Sequence, residues 1–189
     1  MRRAILAAEV AGDKIRIMKL GYFIFNTWLG WMGILGSQDG LRKLVLPQPS
    51  PDQARRLLNK FGSDYHTETP SEAETNYFGD LPQRIKHYLN GKPVTFPDKL
   101  DLSRHSSFQR DAWRVTQSIP YSETRSYAWV AGELGIPKAA RATGQALAKN
   151  PLPIIIPCHR VTCSDGSLGG FGGGALWKRR LLEIEAKAT

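Results

Sequence analysis

The chain has 189 residues, of which 41% are hydrophobic, and it carries a formal charge of +9. This size allows one large domain or two small ones, and no apolar stretch approaches the roughly 20 residues of a membrane span. The charge suits a polyanionic partner: nucleic acid is the first candidate, an acidic membrane surface the second, and a solvated surface without a partner remains open. Residues 104–189 hold 12 basic and 6 acidic side chains, against 14 and 11 in residues 1–103, so we expect the second half to contact DNA.

The first part of the chain predicts a small antiparallel sheet. Residues 19–46 are rich in aromatic and β-branched side chains and are interrupted by glycines and by the turn-like Gln38-Asp39-Gly40. This pattern is typical of consecutive antiparallel strands. Residues 1–17 precede the sheet as an extension of unclear role, because Met18 is a second candidate for the start of the chain.

Two helices are expected to cover this sheet. Ser50-Pro51-Asp52 provides a helix start for residues 53–61. A second helical stretch is predicted over residues 77–89, after Pro70-Ser71-Glu72. Both starts combine a capping side chain or a proline with an acidic residue, which is the usual chemistry of a helix N-terminus.

An extended crossing separates the sheet and its helices from the second half of the chain. Residues 90–102 contain one glycine and two prolines, and we place a domain boundary there, between domains of residues 18–100 and 101–189. Apolar residues then recur at helical spacing through residues 108–117, which predicts an amphipathic scaffold helix.

The next predicted feature is a helix-turn-helix. Residues 126–134 and 138–149 both have helical character and are separated by a turn that contains Gly135. Such a pair is typical of DNA-binding proteins, although an unrelated helical hairpin gives the same pattern. The second helix is rich in alanine around the long cation Arg141, so it is slim enough to approach a narrow groove. A base-reading helix more often carries Asn, Gln, Arg or Ser.

The most informative segment is residues 151–161. Its run Ile154-Ile155-Ile156 predicts a buried strand or extended segment, and prolines at both ends would present Cys158 at the edge of a rigid apolar wall. A free thiol has a pKa of about 8.5, so a neighbouring base or cation must raise its thiolate fraction, and His159 and Arg160 are the local candidates. On these residues alone, an inert buried cysteine remains the alternative.

A glycine-rich loop follows the cysteine. Six glycines occur in the nine residues from Gly166 to Gly174, and a helix is predicted over residues 175–185. Glycine lets the backbone approach a planar ligand closely and exposes N–H donors, although a flexible linker has the same composition. The loop lacks the Gly-Lys-Ser/Thr pattern that cradles phosphate, and no ribose-binding acidic residue is evident, so we expect no nucleotide cofactor.

Three motifs occur in order in the second half of the chain: Lys138-Ala139-Ala140-Arg141-Ala142, Asn150-Pro151 and Pro157-Cys158-His159-Arg160-Val161. Together they resemble the O6-alkylguanine-DNA alkyltransferases, also called methylated-DNA–protein-cysteine methyltransferases. The resemblance covers residues 108–185 and is loose before them. It implies a mixed α/β (α+β) fold, in which an N-terminal ribonuclease-H-like small sheet with helices is followed by a mostly helical domain containing the helix-turn-helix and the active-site segment.

The resemblance implies an irreversible reaction at Cys158. The thiol accepts an alkyl group from the O6 atom of guanine in DNA, His159 accepts the thiol proton through a water, and Glu185 orients and charge-stabilises His159. Asn150 ties the active-site turn together. The target nucleotide must flip out of the base stack to reach the thiol, and each molecule acts once because the product is a thioether.

Other residues have implied roles in DNA binding and in protonation of the leaving base. Arg141 fills the base stack, Tyr127 crowds the rotated phosphate and helps to protonate the base, and Lys178 points at the O6 atom. The implied DNA-binding set is Arg125, Tyr127, Ala139, Ala140, Arg141, Gly144 and Gln145. The implied base pocket is Val161, Phe171, Gly172 and Gly173, where Phe171 replaces the tyrosine of many relatives.

The implied partner is double-stranded DNA that carries O6-alkylguanine, with O4-alkylthymine as a further candidate. We expect no membrane association, no obligatory protein partner and no cofactor. Zinc is not expected either, because relatives with zinc use cysteines of the first domain and none precedes Cys158 here. Cys158 and Cys163 are too few for a secreted disulfide framework, which indicates a reducing cytoplasm.

Three alternatives are disfavoured. Non-catalytic binders of alkylated DNA with this fold lack the acceptor cysteine, which is present here. A thiol hydrolase needs an oxyanion hole and a histidine distant in sequence, whereas Cys158 and His159 on an extended strand would point to opposite faces. A plain helix-turn-helix regulator would leave the Pro-Cys-His-Arg segment and the glycine loop unexplained.

Overall fold

Three consecutive strands open the part of the chain that the computed structural model describes, which is residues 20–63, 70–73 and 77–187. They are β1 (Gly21–Thr27), β2 (Gly30–Ser37) and β3 (Gly40–Gln48), and they pair antiparallel in chain order. The predicted antiparallel sheet is therefore confirmed. Gly40 follows the turn between β2 and β3 and adopts a φ of 136°, which favours glycine. A side chain at this position would also collide with the Lys99 carbonyl. The predicted extension at residues 1–17 lies outside the described residues.

The first helix, α1 (Pro51–Ser63), covers one face of the sheet. Its Ala54 and Leu58 are fully buried in a small apolar cluster with Leu20, Tyr22, Leu35 and Val45. Gly33 of β2 lies directly under Leu58, where a side chain would collide with it. The helix predicted over residues 53–61 is confirmed and extends by two residues at each end.

The second helix, α2 (Leu81–Leu89), covers the opposite face and begins four residues later than expected. Residues 77–80 form turns, and Pro82 lies in the first helical turn, where its missing N–H costs no intrahelical hydrogen bond. Ser71–Glu72, expected to belong to the helix start, instead forms the short strand β4, which pairs parallel with β1. The sheet order is therefore β3-β2-β1-β4.

The crossing at residues 90–102 has no helix, as predicted, and it is held against the sheet. Leu41 N donates to Lys99 O at 2.8 Å, and Asp101 N donates to Leu41 O at 2.9 Å. The helix α3 (Ser107–Gln117) follows, with Ser106 and Gln109 forming a reciprocal capping box. Its buried Trp113 donates from Nε1 to Ala146 O at 3.1 Å, so α3 is fixed to a later helix and is the predicted scaffold.

The predicted pair of helices around Gly135 is confirmed. The helix α4 (Tyr127–Glu133) ends near Gly135, which adopts a φ of 74°. A 3-10 turn, Pro137–Ala139, leads into α5 (Ala140–Ala148). The α-helical part of the second helix therefore begins two residues after the predicted start at residue 138.

The prediction of a strand or extended segment around Ile154-Ile155-Ile156 is wrong. Prolines at positions 151, 153 and 157 have no N–H to donate to a strand ladder, and Ile154 adopts a φ of 76°, which turns the chain back. Ile156 N donates to Leu152 O at 2.8 Å, and Cys158–Arg160 then forms a 3-10 turn. The prediction that this segment is buried is confirmed, because residues 151–161 are all buried.

The chain then pairs β6 (Val161–Thr162) parallel with β5 (Arg125–Ser126), passes through the glycine-rich loop and ends in α6 (Ala175–Ala186). One apolar cluster joins the sheet to the later elements through residues such as Ile34, Ile85, Trp113, Ile156 and Leu181. The mixed α/β fold class is confirmed. The division into domains at residue 100 stays a prediction. Among the described residues, no helix has the length and apolar character needed to cross a membrane.

Candidate active site

Cys158 lies at the start of the 3-10 turn with 4% of its surface exposed. Asn150 holds it there: its Nδ2 donates to Cys158 Sγ at 2.9 Å and to Ile156 O at 2.8 Å, while its Oδ1 accepts from Leu152 N at 2.9 Å. Burial raises the pKa of the Cys158 thiol to about 11, although the Asn150 hydrogen bond and the Lys178 charge oppose this shift. The sulfur is therefore protonated at neutral pH and requires a base before it can act as a nucleophile.

His159 is the candidate base next to Cys158 in the chain, and its side chain is fully buried. Its Nε2 lies 2.7 Å from Glu185 Oε1. Burial lowers the pKa of His159, and the nearby carboxylate only partly opposes this shift. An ionised carboxylate can only accept, so Nε2 carries the proton and Nδ1 carries the lone pair. Nδ1 is buried and has no hydrogen-bond partner among the described residues, which suits it to accept a proton.

Glu185 is a permanently charged partner for this histidine. Burial opposes its ionisation, but hydrogen bonds from His159, Arg160 and Tyr88 lower the pKa of Glu185 to about 2. Arg160 donates from Nε to Oε2 at 3.0 Å and from Nη2 to Oε1 at 3.0 Å. Ser122 N donates to Oε2 at 3.0 Å. Because both oxygens are occupied by donors, Glu185 anchors His159 and does not take up a proton.

Three residues of this cluster were not assigned correctly from the sequence. Arg160 was a candidate cation for the thiol, but its guanidinium binds Glu185 and the Ile119 carbonyl instead. Tyr88 and Ser122 carry no recognisable motif and lie 97 and 63 residues from Glu185. Ser122 adopts a φ of 64°, a conformation that L-residues seldom adopt and that was not readable from its neighbours.

A thiol hydrolase is disfavoured by the hydrogen bonding of Cys158 and His159, and not by strand geometry. Cys158 and His159 lie on a 3-10 turn, so the expectation that they occupy opposite faces of a strand is wrong. A nucleophile and its base normally lie within hydrogen-bond reach of each other. Here Asn150 bonds the sulfur, and His159 Nδ1 makes no hydrogen bond to a described residue, so a direct thiol–imidazole pair is not formed.

Lys178 and Tyr127 contact each other close to Cys158. Lys178 Nζ donates to Tyr127 Oη at 3.2 Å and to Val161 O at 2.5 Å, and Tyr127 Oη donates to Gly170 O at 3.1 Å. Burial lowers the pKa of Lys178 and raises the pKa of Tyr127 to about 12. Tyr127 therefore keeps its proton at neutral pH, and Lys178 gives up a proton more readily than an exposed lysine does. Gly169 packs so closely on Tyr127 that a side chain there would collide with the ring.

A cavity of about 420 Å³ opens beside Cys158. Phe171, Gly172 and Gly173 line it, as the implied base pocket requires, together with Asn150, Pro153 and residues of β3 such as Leu46. Val161 does not line this cavity; it is buried and contributes its carbonyl to Lys178. No group of three or more His, Cys, Asp or Glu side chains that could hold a metal occurs in the described ranges.

Comparison with known proteins identifies the family. The family model for the 6-O-methylguanine DNA methyltransferase DNA-binding domain matches residues 107–187. The constitutive methylated-DNA–protein-cysteine methyltransferase of Bacillus subtilis is 37% identical over 166 residues, which cover 87% of this chain and 94% of that protein. This chain belongs to the methylated-DNA–protein-cysteine methyltransferase family.

Other family members agree with this assignment. The Mycolicibacterium paratuberculosis enzyme is 46% identical over 110 residues, which cover 58% of this chain. That alignment spans 66% of the mycobacterial protein, just under two thirds of its length. The crystal structure of Mycobacterium tuberculosis OGT in complex with DNA superposes with a TM-score of 0.73 and 34% identity, over 89% of this chain and 94% of that one.

The residues that the family resemblance assigns to DNA lie mainly on α5 and the turn before it. Arg141 and Gln145 are exposed, and Ala139, Ala140 and Gly144 are half-buried. Arg125 is further away in the chain and already engaged: it pairs with Glu123 at 2.6 Å and lies over the Trp129 ring. The structure therefore leaves Arg141 as the exposed cation of this set.

Proposed function

We propose that this protein repairs alkylated DNA by transferring an alkyl group from the O6 atom of guanine to Cys158 Sγ. The observation that carries the proposal is the arrangement around the sulfur. A buried thiol borders a cavity. The histidine that follows it is anchored through Nε2 to an ionised carboxylate, and its Nδ1 has no partner among the described residues. Membership of the methyltransferase family supports the same reaction.

In the proposed reaction, His159 Nδ1 takes the proton of Cys158 through one water. The thiolate sulfur then attacks the alkyl carbon in line with the leaving O6 atom, so the S–C bond forms as the C–O6 bond breaks. The bonding electrons pass to guanine, whose negative charge is neutralised by a proton from the Tyr127 hydroxyl or the Lys178 ammonium. These two groups are hydrogen-bonded to each other at 3.2 Å, so the proton that leaves Tyr127 can be replaced from Lys178.

The proposed partner is double-stranded DNA. The lesion must leave the base stack to reach a buried sulfur, and the exposed Arg141 on the slim helix α5 is suited to fill the vacated space. Reaction would end with a thioether on Cys158, which is chemically stable, so each molecule acts once. We also propose the reducing cytoplasm as its compartment, because a nucleophilic thiol must remain unoxidised.

The test is incubation with a DNA duplex that carries O6-methylguanine, followed by mass spectrometry of the intact protein and its peptides. We expect one methyl group on the peptide that contains Cys158 and normal guanine in the DNA. Cys158→Ser should show neither change. Cys163→Ser is the matched control, because the half-buried Cys163 is the other free cysteine and should leave the transfer intact. Loss of the lesion without any gain in protein mass would contradict the proposal.

A further inference from the structure

Tyr88 of α2 reaches the proton-accepting cluster from the first half of the chain. Its side chain is fully buried, and its hydroxyl lies 2.6 Å from Glu185 Oε1 and 3.0 Å from His159 Nε2. These contacts join residues that are 97 and 71 positions apart. The hydroxyl therefore touches both members of the histidine–carboxylate pair, although the proposed reaction assigns it no role.

The direction of the Tyr88 hydrogen bond follows from its protonation state. Burial and the neighbouring Glu185 charge both raise the pKa of Tyr88 well above its usual value, so the phenol keeps its proton. It has one O–H to give, and the shorter contact is to Glu185 Oε1, which can only accept. The phenol oxygen then faces the Nε2–H of His159 as a second acceptor.

We propose that Tyr88 is a positioning residue that sets the proton affinity of His159 by donating to the carboxylate that anchors it. The first half of the chain thereby adjusts the pH range over which the second half can react. This inference rests on the proposed alkyl transfer, because the pH range is that of the thiol deprotonation by His159.

The sign of the effect follows from the charges around His159. Glu185 favours the imidazolium, whereas Arg160 and Lys178 disfavour it. The Tyr88 O–H withdraws part of the negative charge of Oε1 from His159, so loss of this donor leaves a stronger anion next to Nε2. The pKa of His159 then rises, and neutral His159, the form that can accept the thiol proton, becomes scarcer at low pH.

Tyr121 offers a matched control for the loss of one phenol oxygen. Its ring meets the Tyr88 ring edge to face at 6.0 Å, and Arg160 lies over the Tyr121 ring at 5.6 Å. The Tyr121 hydroxyl is buried and makes no hydrogen bond to a described residue. Tyr121→Phe therefore removes a buried hydroxyl at the same cluster without removing a donor to Glu185.

The experiment measures the single-turnover rate of methyl transfer from an O6-methylguanine duplex at saturating protein, from about pH 5.5 to about pH 8.5. In Tyr88→Phe we expect the acidic limb of the rate profile to move up by about half a pH unit, which is about a threefold loss of rate at the acidic end that disappears towards pH 8. Tyr121→Phe should follow the unaltered protein. An unmoved limb in Tyr88→Phe, a downward shift, or an equal shift in both variants would overturn the inference, whatever happens to stability.

A second variant covers the case in which Tyr88→Phe does not fold. Site-specific replacement of Tyr88 by 3-fluorotyrosine keeps the shape but makes the phenol a stronger donor, so the acidic limb should move to lower pH. An unchanged or raised limb in this variant overturns the inference. Absence of methyl transfer to Cys158 at every pH in the unaltered protein would instead contradict the proposed function itself.

Discussion

Two regions next to Cys158 differ in character. The inner region is the buried cluster around Glu185, whose two oxygens accept hydrogen bonds from four residues. The outer region is the cavity that the sulfur borders, together with the glycine-rich loop. The inner cluster is buried and places the imidazole of His159 next to the ionised carboxylate of Glu185. The outer side leaves space, and its polar contacts are mainly to backbone carbonyls such as those of Val161 and Gly170. The proposed function accounts for this difference: proton acceptance by His159 needs a fixed charge beside it, whereas entry of a flipped nucleobase needs space and close approach of the backbone.

The largest effect is expected when the inner anchor is neutralised. Glu185→Gln leaves the buried Arg160 without its counter-charge and replaces the anionic acceptor of His159 Nε2 by a neutral amide. We expect a loss of about 3–5 kcal/mol in the free energy of unfolding, which is typical of a broken buried ion pair. The transfer rate should fall by about a hundredfold or more, as for loss of general base catalysis. Urea denaturation and single-turnover kinetics measure the two effects.

Glu183→Gln is the control for that substitution. Glu183 lies on the same helix two residues earlier and is exposed, so neutralising it should change the unfolding free energy by no more than about 0.5 kcal/mol. Equal losses in the two variants would indicate that helix charge, and not the buried cluster, is responsible.

The second effect is the acid sensitivity of the inner cluster. The pKa of Glu185 is depressed from 4.5 to about 2 in the folded protein, so its stabilising contribution is fully present above pH 4.5 and is lost as the pH falls towards 2. This one group supplies a slope of at most about 1.4 kcal/mol per pH unit in that window. The difference in unfolding free energy between the unaltered protein and Glu185→Gln should therefore shrink from pH 6 to about pH 3. A difference that stays constant with pH would contradict this assignment.

The smallest effect is expected on the outer side. Gly169→Ala places a methyl group against the Tyr127 ring at a φ of 66°, which should cost about 1–3 kcal/mol in local strain. The loop must move, and Tyr127 with it, so we expect about a tenfold slower transfer and a fall in unfolding temperature of about 2–4 °C per kcal/mol of strain. Gly170→Ala is the control, because a methyl group there would have no atom of a described residue within 4 Å. Equal rates for the two variants would show that the close packing of Gly169 is unimportant.

Much of the fold and part of the site could be predicted from local sequence. The aromatic and β-branched composition of residues 19–46, the helix start at Ser50 and the apolar spacing of residues 108–117 predicted elements that the structure confirms. Helix and strand periodicity and capping chemistry act over a few residues, so they can be read along the chain. The roles of Cys158, His159 and Glu185 came from family resemblance, and they stay proposals until the adduct is measured.

Other features depended on long-range packing. Ile154-Ile155-Ile156 was expected to be extended because three branched apolar residues favour a strand, but the flanking prolines and the positive φ of Ile154 fold it into buried turns. The start of α2 was placed four residues too early because residues 77–80 form turns, and Ser71–Glu72 before them join the sheet edge by pairing with β1. Edge pairing of two residues leaves no periodic signal.

The sequence by itself determined the basic second half, the order of the helices and the positions of the Pro-Cys-His-Arg motif and the glycine loop, because composition, spacing and ordered motifs are properties of the chain. The tertiary structure alone decided that Arg160 turns away from the sulfur to Glu185 and that Tyr88 and Ser122 complete the carboxylate. The physical reason is burial. An ionised carboxylate inside the core must collect donors from whatever elements pack around it, and these elements are brought together only by the fold.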